Sequence, residues 1–268
     1  MAKLENRSIS LGDVLRTQGR VIHALMLRDV KSRLFGNGLG FIAFSVCWPL
    51  VHILVLLGVY TLMGRATPYG ESLALFFAVG LVPFMTFSYM SRWIMMSLIM
   101  NKPLLSFPIV KVTDILLARA FLEMLGSCMM TASLCAIFWF LGIDFMPRDV
   151  VQASFALGAS LMLGLGMGMI NAIIAMAFYS WATGYALVII IFYISSGILF
   201  VPDALPEVAR YPLSFNPVLH AVEWMRSAYY EGYGSLVLDK VYLLTWGICT
   251  IFGGFALERL IRGRLLGG

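Results

Sequence analysis

The chain has few charged residues and no recognisable cysteine pattern, and these two shortages exclude several classes of protein. Asp, Glu, Lys and Arg make up only 12% of its 268 residues, whereas hydrophobic residues make up 60%. Soluble domains carry about 25% charged residues, so an ordinary soluble fold is excluded. Cys47, Cys128, Cys135 and Cys249 lie in apolar runs without CxxC spacing. This distribution argues against a disulfide framework and against a metal site.

Two signatures of catalysis are also missing. No GxxxxGKS or GxxxxGKT loop occurs, so the chain cannot bind nucleotide phosphates in that way, and any process that it drives must draw its energy from elsewhere. The three histidines, His23, His52 and His220, are scattered rather than clustered with acids, bases or metal ligands. We therefore expect no catalytic residue, no metal ion and no cofactor in this chain.

What the chain does contain is six apolar runs long enough to cross a bilayer, which requires about 20 mostly apolar residues. They predict an all-α membrane protein with a permease domain over residues 39–258, an N-terminal cytoplasmic segment 1–38 and a cytoplasmic tail 259–268. The first run starts too late and is too long to be a secretory signal peptide. The predicted spans are residues 39–63, 72–100, 116–141, 151–178, 182–201 and 240–257.

Basic residues predict the orientation. With both termini in the cytoplasm, the inner segments hold 13 of the 19 Lys and Arg residues and the outer segments hold five. Basic residues accumulate on the cytoplasmic side of membrane proteins. The net charge of +5 therefore indicates membrane topology, with lipid rather than nucleic acid as the surrounding partner.

Residues 1–38 are too polar to span a membrane, but they contain an amphipathic pattern. Apolar side chains recur at helical spacing and basic side chains mark the other face. The pattern predicts a helix on the cytoplasmic membrane surface, either as an electrostatic anchor alone or also as a docking surface for a partner. The apolar positions are Leu11, Val14, Leu15, Ile22 and Leu25, and the basic ones are Arg16, Arg20 and Lys31.

The turn between the second and third predicted spans, residues 101–111, contains two prolines that prevent a continuous helix. It is either an ordinary connector or a coupling segment that inserts into a motor protein below the membrane. In the second case Arg16 and Arg20 belong to the same coupling surface. The turn's candidate coupling residues are Asn101, Lys102, Pro103, Leu104, Leu105, Phe107, Pro108 and Lys111.

The fourth predicted span carries a small residue at every fourth position. Small side chains let a second helix approach closely, because in lipid the packing itself must hold helices together. The row predicts helix packing within the subunit, with a conduit wall or a dimer contact as alternatives. Its members are Ala156, Ser160, Gly164, Gly168 and Ala172.

The outer segment after the fifth predicted span, residues 202–233, predicts a helical hairpin. Asn216 followed by Pro217 is a favourable helix start, and the run that follows is too short to span. We expect short periplasmic or re-entrant helices here. The aromatic residues of the segment either form an interfacial belt or line the exit for sugar rings, which stack on aromatic faces. They are Trp224, Tyr229, Tyr230 and Tyr233.

Arg92 is the single charge within residues 72–100. A charge at the bilayer centre costs about 2.5 to 3.5 kcal/mol, and such residues pair with one another or face water. Glu123 in the next span lies at a comparable depth, which predicts an Arg92–Glu123 ion pair. Alternatively, Arg92 lines a conduit with Ser88 and Tyr89 and attracts phosphates or carboxylates. The two roles are compatible.

Six spans, the amphipathic helix, the proline-bearing inner turn and the stretch ILFVPDALPEVARYPLSFNPVLHAVEWMR together resemble the permease subunits of polysaccharide-exporting ABC transporters, especially those for bacterial capsules. The most specific piece is residues 197–226, where Pro206 and the Asn216–Pro217 pair fall at the family's hairpin. The resemblance implies two copies of the chain forming one channel in the bacterial inner membrane. It also implies two separate ATPase subunits, which bind ATP and magnesium and act on the inner turn and the N-terminal helix.

The same resemblance implies an acidic, lipid-anchored polysaccharide substrate, a periplasmic co-polymerase and an outer-membrane export protein. Three other functions compete with it. A proton-coupled secondary transporter requires acids within the spans, where Glu123 is the clear case, and paired interrupted helices. An enzyme acting on lipid-linked sugars requires a catalytic cluster. A purely structural membrane subunit does not explain Arg92.

Overall fold

The computed structural model describes residues 11–32 and 39–266, and these residues fold into nine helices without a strand. Residues 1–10, 33–38 and 267–268, which belong to the predicted N-terminal segment and tail, lie outside the described residues. The helices are α1 Leu11–Ser32, α2 Leu39–Leu62, α3 Leu73–Met100, α4 Val112–Phe140, α5 Val150–Ala177, α6 Trp181–Ser195, α7 Glu207–Leu213, α8 Pro217–Tyr229 and α9 Lys240–Leu266.

Five of these helices, α2 to α5 and α9, are long and apolar enough to cross a membrane. They coincide with five of the six predicted spans. The remaining predicted span, residues 182–201, corresponds to α6, which is apolar but has only 15 residues. Fifteen residues extend about 22 Å, less than the roughly 30 Å hydrocarbon core. The helix ends early because Gly197, at φ 76°, turns the chain.

The helix α3 is the centre of the fold. It begins where the Ser72 side chain accepts a hydrogen bond from the Leu75 amide at 3.2 Å, a standard N-cap. It packs against α4, α5 and α8, while α5 contacts α9 on its other side. The helix α2, which contains a π-helical segment at Ala43–Cys47, leans on α4 and α3, and α1 packs on α4.

The small-residue row of α5 lies against α3. A Cβ atom on Gly164 would lie 2.9 Å from Met90 Cβ, and one on Gly168 would lie 2.8 Å from Ile94 Cβ. Both distances are too short for a real side chain, so these glycines permit the close approach of the two helices. Ala156, Ser160 and Ala172 of the same row are also fully buried.

The segment between α6 and α9 folds into two short helices after a 3₁₀ turn at Pro202–Ala204. The Asn216 side chain accepts a hydrogen bond from the Val218 amide at 2.9 Å, and Pro217 occupies the first turn of α8. Local sequence therefore starts α8 at the predicted place. Its 13 residues are nearly all buried, which puts this short helix inside the fold and against α3 and α5.

Candidate functional site

Arg92 has an exposed side chain on α3, a helix whose residues are mostly buried. It lies eight residues before the helix end at Met100, which corresponds to about 12 Å along the axis. Tyr89, close to one turn earlier, is half-buried. A guanidinium inside an apolar span faces water or a partner, because hydrocarbon does not solvate it. Arg92 and Tyr89 therefore mark a candidate conduit surface on α3.

Ser88, one turn from Arg92, was predicted to line a conduit with it, but Ser88 is buried and does not belong to this exposed surface. Its side chain is buried, and its carbonyl oxygen accepts a hydrogen bond from Ser91 Oγ at 3.2 Å. Four helical residues rotate a side chain by about 40° beyond a full turn. That rotation is enough to move position 88 from the exposed strip into the packed interior.

Glu123 pairs with Arg119 rather than with Arg92, which corrects the predicted ion pair. Arg119 and Glu123 are both buried and lie four residues apart on α4. The guanidinium of Arg119 is also 3.9 Å from Asp29 of α1 and lies 4.6 Å from the centre of the Trp93 ring. The four-residue spacing is visible in the sequence and is the signal that identifies this pair.

The helix α1 is attached to both ends of the inner turn. The Gln18 side-chain amide donates a hydrogen bond to Asp114, which follows the turn and also accepts from the Lys111 amide at 2.9 Å. The Arg28 guanidinium donates to the side-chain oxygen of Asn101, which is the first residue of the turn and is buried. These two contacts make α1 and the turn one unit on this side of the protein.

A cavity of about 350 Å³ lies beneath this attachment, between α1, α3 and α4. Arg28, Asp29, Asn101 and Arg119 line it together with the Trp93 ring. Arg28 Nη2 is 2.6 Å from Asp29 Oδ1, and Arg119 Nη1 is 3.9 Å from Asp29 Oδ2. Asp29 therefore lies between the two arginines that line the cavity, and these contacts between α1 and α4 suit a structural junction.

The tip of the inner turn is apolar and exposed. The side chains of Phe107 and Ile109 are 57% and 56% exposed, and Pro108 between them is exposed as well. Leu104 and Leu105 instead pack partly against the core of α3 and α4. Exposed apolar residues at the end of a structured turn are suited to docking against another protein. Ile109 was not among the predicted coupling residues. The remaining predicted coupling residues, Lys102, Pro103, Lys111, Arg16 and Arg20, are exposed.

At the opposite end of the helices, Trp224 is buried rather than available to a substrate. Its indole Nε1 donates a hydrogen bond to Gln152 Oε1 at 2.8 Å. Lys240 donates to the same oxygen at 2.8 Å, and its Nζ lies 5.0 Å from the centre of the Trp224 ring. This residue therefore joins α8 to α5 and α9.

The predicted tyrosines are likewise engaged in internal packing. Tyr230 and Tyr233 pack edge-on against Tyr69, with ring centres 5.2 and 4.8 Å apart, and Tyr229 packs against Phe145 at 5.4 Å. Burial and the nearby Glu223 carboxylate raise the pKa of Tyr233, so its hydroxyl stays protonated and donates. All three rings are partly buried.

A fully buried ion pair, Glu223–Arg226, organises this end and was not recognised from the sequence. Arg226 Nη1 is 3.0 Å from Glu223 Oε1, and the guanidinium also donates to the carbonyl oxygens of Ile198 and Phe200, each at 3.1 Å. The Arg226 guanidinium carbon lies 4.1 Å from the centre of the Phe76 ring. The available sequence signal was the three-residue spacing within a short helix.

The acceptor side of this pair is also satisfied. Glu223 accepts hydrogen bonds from Tyr233 Oη at 3.0 Å and from Ser235 Oγ at 2.7 Å. The network therefore ties α8 to the end of α6, to α3 and to the loop before α9. Within residues 11–32 and 39–266, no group of three His, Cys, Asp or Glu side chains is placed to hold a metal ion.

Comparison with known proteins gives a consistent result. The sequence model of the ABC-2 type transporter family matches residues 20–230. Polysialic acid transport protein KpsM of Escherichia coli is 29% identical over 238 residues, which cover 89% of this chain and 92% of that protein.

Two further relatives are named for capsule export. The capsule polysaccharide export inner-membrane protein CtrC of Neisseria meningitidis serogroup B is 28% identical over 257 residues, covering 90% of this chain and 94% of CtrC. The capsule polysaccharide export inner-membrane protein BexB of Haemophilus influenzae is 26% identical over 248 residues, covering 88% of this chain and 92% of BexB. Each relative matches nearly along its whole length.

Proposed function

Because the chain belongs to the ABC-2 type transporter family, we propose that it is the membrane subunit of an exporter that moves capsule polysaccharide across the bacterial inner membrane. The main support for this proposal is that relatives named for polysialic acid transport and capsule polysaccharide export match this chain over almost its whole length. The chain itself is a permease and not an enzyme. ATP hydrolysis takes place in a separate subunit, which accounts for the missing phosphate-binding loop.

The proposed topology has six crossings with both termini in the cytoplasm. The helix α6 provides the crossing between α5 and the α7–α8 hairpin, with the bilayer thinned or the flanking residues extended around its 15 residues. The distribution of basic residues supports this orientation, since 13 of the 19 then lie inside. The helix α1 then lies at the inner surface and the hairpin at the outer one.

Arg92 is the proposed contact for the substrate. A guanidinium can bind a carboxylate or a phosphate through two parallel hydrogen bonds, and polysialic acid, which the Escherichia coli relative is named for, is an acidic polymer. Arg92 is exposed on the central helix, and its charge is stable there when the surface that it faces is in contact with water. Tyr89 beside it offers a ring for a passing sugar. A lipid-anchored acidic glycan fits both groups.

The inner turn and α1 are the proposed receiver of the ATPase stroke. Phe107, Pro108 and Ile109 form the exposed apolar tip, and Arg16 and Arg20 add an exposed basic surface on α1. The proposed assembly contains two copies of this chain and two ATPase subunits carrying ATP and magnesium. A periplasmic co-polymerase and an outer-membrane export protein complete the route for the capsule polymer.

Export by cells that carry an Arg92→Gln variant tests the proposal. Arg92→Gln removes the charge but keeps a polar side chain, so surface capsule should be lost while the variant still copurifies with its ATPase. Arg92→Lys retains the charge without the bidentate geometry and should export partially. Arg65→Gln, on an exposed outer turn, is the matched control and should export normally.

Wild-type capsule levels in Arg92→Gln cells would remove this residue from the mechanism. Reconstitution tests the function as a whole. The chain and its ATPase together should move glycan into liposomes only with ATP. Glycan transport by the chain alone, or driven by a pH gradient without the ATPase, would contradict the exporter and support a secondary carrier.

A further inference from the structure

A cleft of about 410 Å³ lies between α7, the start of α8 and the segment that leads into α9. Its volume falls within the lower part of the range of small-ligand pockets. The cleft is separate from Arg92. It is also separate from the four aromatic residues predicted to contact sugar, which pack inside the protein: Trp224, Tyr229, Tyr230 and Tyr233. The charged and aromatic residues that line it are Glu207, Arg210, Tyr211, Phe215, His220, Asp239 and Tyr242.

The cleft is held open by a buried histidine. His220 Nε2 donates a hydrogen bond to the Ser214 carbonyl at 2.8 Å, and its Nδ1 accepts one from the Asp239 amide at 3.0 Å. The imidazole thereby joins the end of α7 to the start of α9. Tyr242 Oη adds a second link, a hydrogen bond to the Phe215 carbonyl at 2.9 Å. The site is therefore preformed, and binding of a ligand would cost little conformational entropy.

Two aromatic rings of the cleft are exposed. Tyr211 and Phe215 have 66% and 56% of their surface accessible, and their rings meet edge-on at 5.2 Å and 85°. The C–H face of a sugar ring packs on such surfaces, because the faces of aromatic rings carry negative potential. Trp224, Tyr229 and Tyr233, which are packed inside the protein, cannot offer this contact without rearrangement.

Two charged side chains of the cleft are also available. Arg210 and Glu207, one turn apart on α7, make no side-chain hydrogen bond or ion pair with any described residue. A guanidinium can bind the carboxylate of an acidic sugar in bidentate fashion, and a carboxylate can accept hydrogen bonds from sugar hydroxyls. If Tyr211 and Phe215 served only to anchor α7 at the membrane interface, a free guanidinium and a free carboxylate in the same cleft would have no role.

We propose that this cleft binds one or two acidic sugar units of the exported glycan, with Tyr211 packing against a ring and Arg210 holding its carboxylate. The proposal rests on the proposed function and adds to it a second glycan contact, on the outer side and apart from Arg92. Such a contact retains the emerging chain on the outer face, and successive units can exchange through it because the cleft is shallow and open.

Saturation-transfer NMR on the purified full-length chain in nanodiscs tests this site. The probes are α2,8-linked tetrasialic acid and the neutral tetrasaccharide maltotetraose. Tetrasialic acid should bind, and maltotetraose should bind at least tenfold more weakly. Tyr211→Ala should weaken tetrasialic acid about tenfold, and Arg210→Gln should weaken it while leaving maltotetraose unchanged. Val208→Ala, exposed on α7 but outside the cleft, is the matched control.

Absence of saturation transfer to either probe, equal binding of both probes, or unchanged binding by the Tyr211 and Arg210 variants would each overturn the proposal. The thermal unfolding midpoint of every variant is compared with that of the wild type, to distinguish loss of binding from loss of folding. The assay contains no ATPase and measures no transport. A chain that exports capsule but binds neither probe would therefore refute the cleft and leave the exporter standing, whereas binding without export would do the reverse.

Discussion

Arg226 and Glu223 form an ion pair, with 3.0 Å between Nη1 and Oε1, in which neither side chain has any exposed surface. The pair joins the hairpin helix α8 to the end of α6 through the carbonyl oxygens of Ile198 and Phe200. Gly80 on α3 makes room for it, since a Cβ atom there would lie 3.2 Å from Arg226 Nη2. The hairpin and the end of α6 are therefore held as one body.

Breaking this pair from one side should destabilise the protein strongly. Arg226→Met leaves the Glu223 carboxylate buried without its cation, a situation that costs about 3 to 5 kcal/mol. We expect a large drop in the midpoint of thermal unfolding in detergent. Arg148→Met is the matched control, because Arg148 pairs with Glu231 where both side chains are mostly exposed. Its cost should stay below about 1 kcal/mol, and similar losses in both variants would contradict the structural role of the buried pair.

Gly168→Ala should disrupt the contact between α3 and α5. The added Cβ would lie 2.8 Å from Ile94 Cβ and 3.0 Å from the Ser91 carbonyl oxygen, and the backbone cannot easily move away. Overpacking of this kind costs about 1 to 3 kcal/mol, measurable by denaturant unfolding in micelles. Gly158→Ala on the same helix meets nothing within 4 Å and should be neutral or stabilising. Equal stability of the two variants would show that the helices are not packed as described.

The attachment of α1 should depend on Gln18 and Arg28. Replacing both with Ala removes the hydrogen bonds to Asp114 and Asn101, each worth about 0.5 to 1.5 kcal/mol. Hydrogen exchange of the α1 amides should then become about tenfold faster, since local opening is no longer opposed by these contacts. The double variant Arg16→Ala with Arg20→Ala, at exposed positions, should leave exchange unchanged. Slow exchange in the first variant would mean that packing alone holds α1.

Stability should fall on mild acidification because of His220. Burial lowers the pKa of His220 below its usual value near 6.5, although its bond to Ser214 and the charges of Asp239 and Glu223 act in the opposite direction. Between the lowered pKa and pH 6.5, the unfolded chain binds a proton that the folded chain does not. The contribution of His220 is therefore fully present above about pH 6.5 and decreases as the pH falls toward the lowered pKa.

Thermal unfolding measured from pH 7.5 to 5 checks this expectation. The wild-type midpoint should decrease over that range, and the His220→Gln variant should be less stable at pH 7.5 but show a flatter profile. Protonation of Nδ1 also removes the acceptor for the Asp239 amide, so tetrasialic acid binding should weaken in parallel. Identical pH profiles for the two proteins would exclude His220 as the titrating group.

Several features of this protein follow from local sequence. Composition and run length identify the membrane class and five spanning helices, because transfer of apolar surface from water depends on the residues themselves. Ser72 and the Asn216–Pro217 pair begin their helices at the predicted places, since a cap needs only neighbouring backbone groups. The four-residue spacing of Gly164 and Gly168 likewise indicates a face for close helix packing without reference to the partner.

Other features were decided only by the tertiary structure. Glu123 pairs with Arg119 one turn away on its own helix, whereas Arg92 lies on the exposed side of α3. Arg226, an outer-loop cation by sequence, is fully buried. Which aromatic rings stay accessible could not be predicted, because exposure depends on what distant segments bring against each ring. Spacing along the chain determines the face of a helix, but only the packing of all helices determines what that face meets.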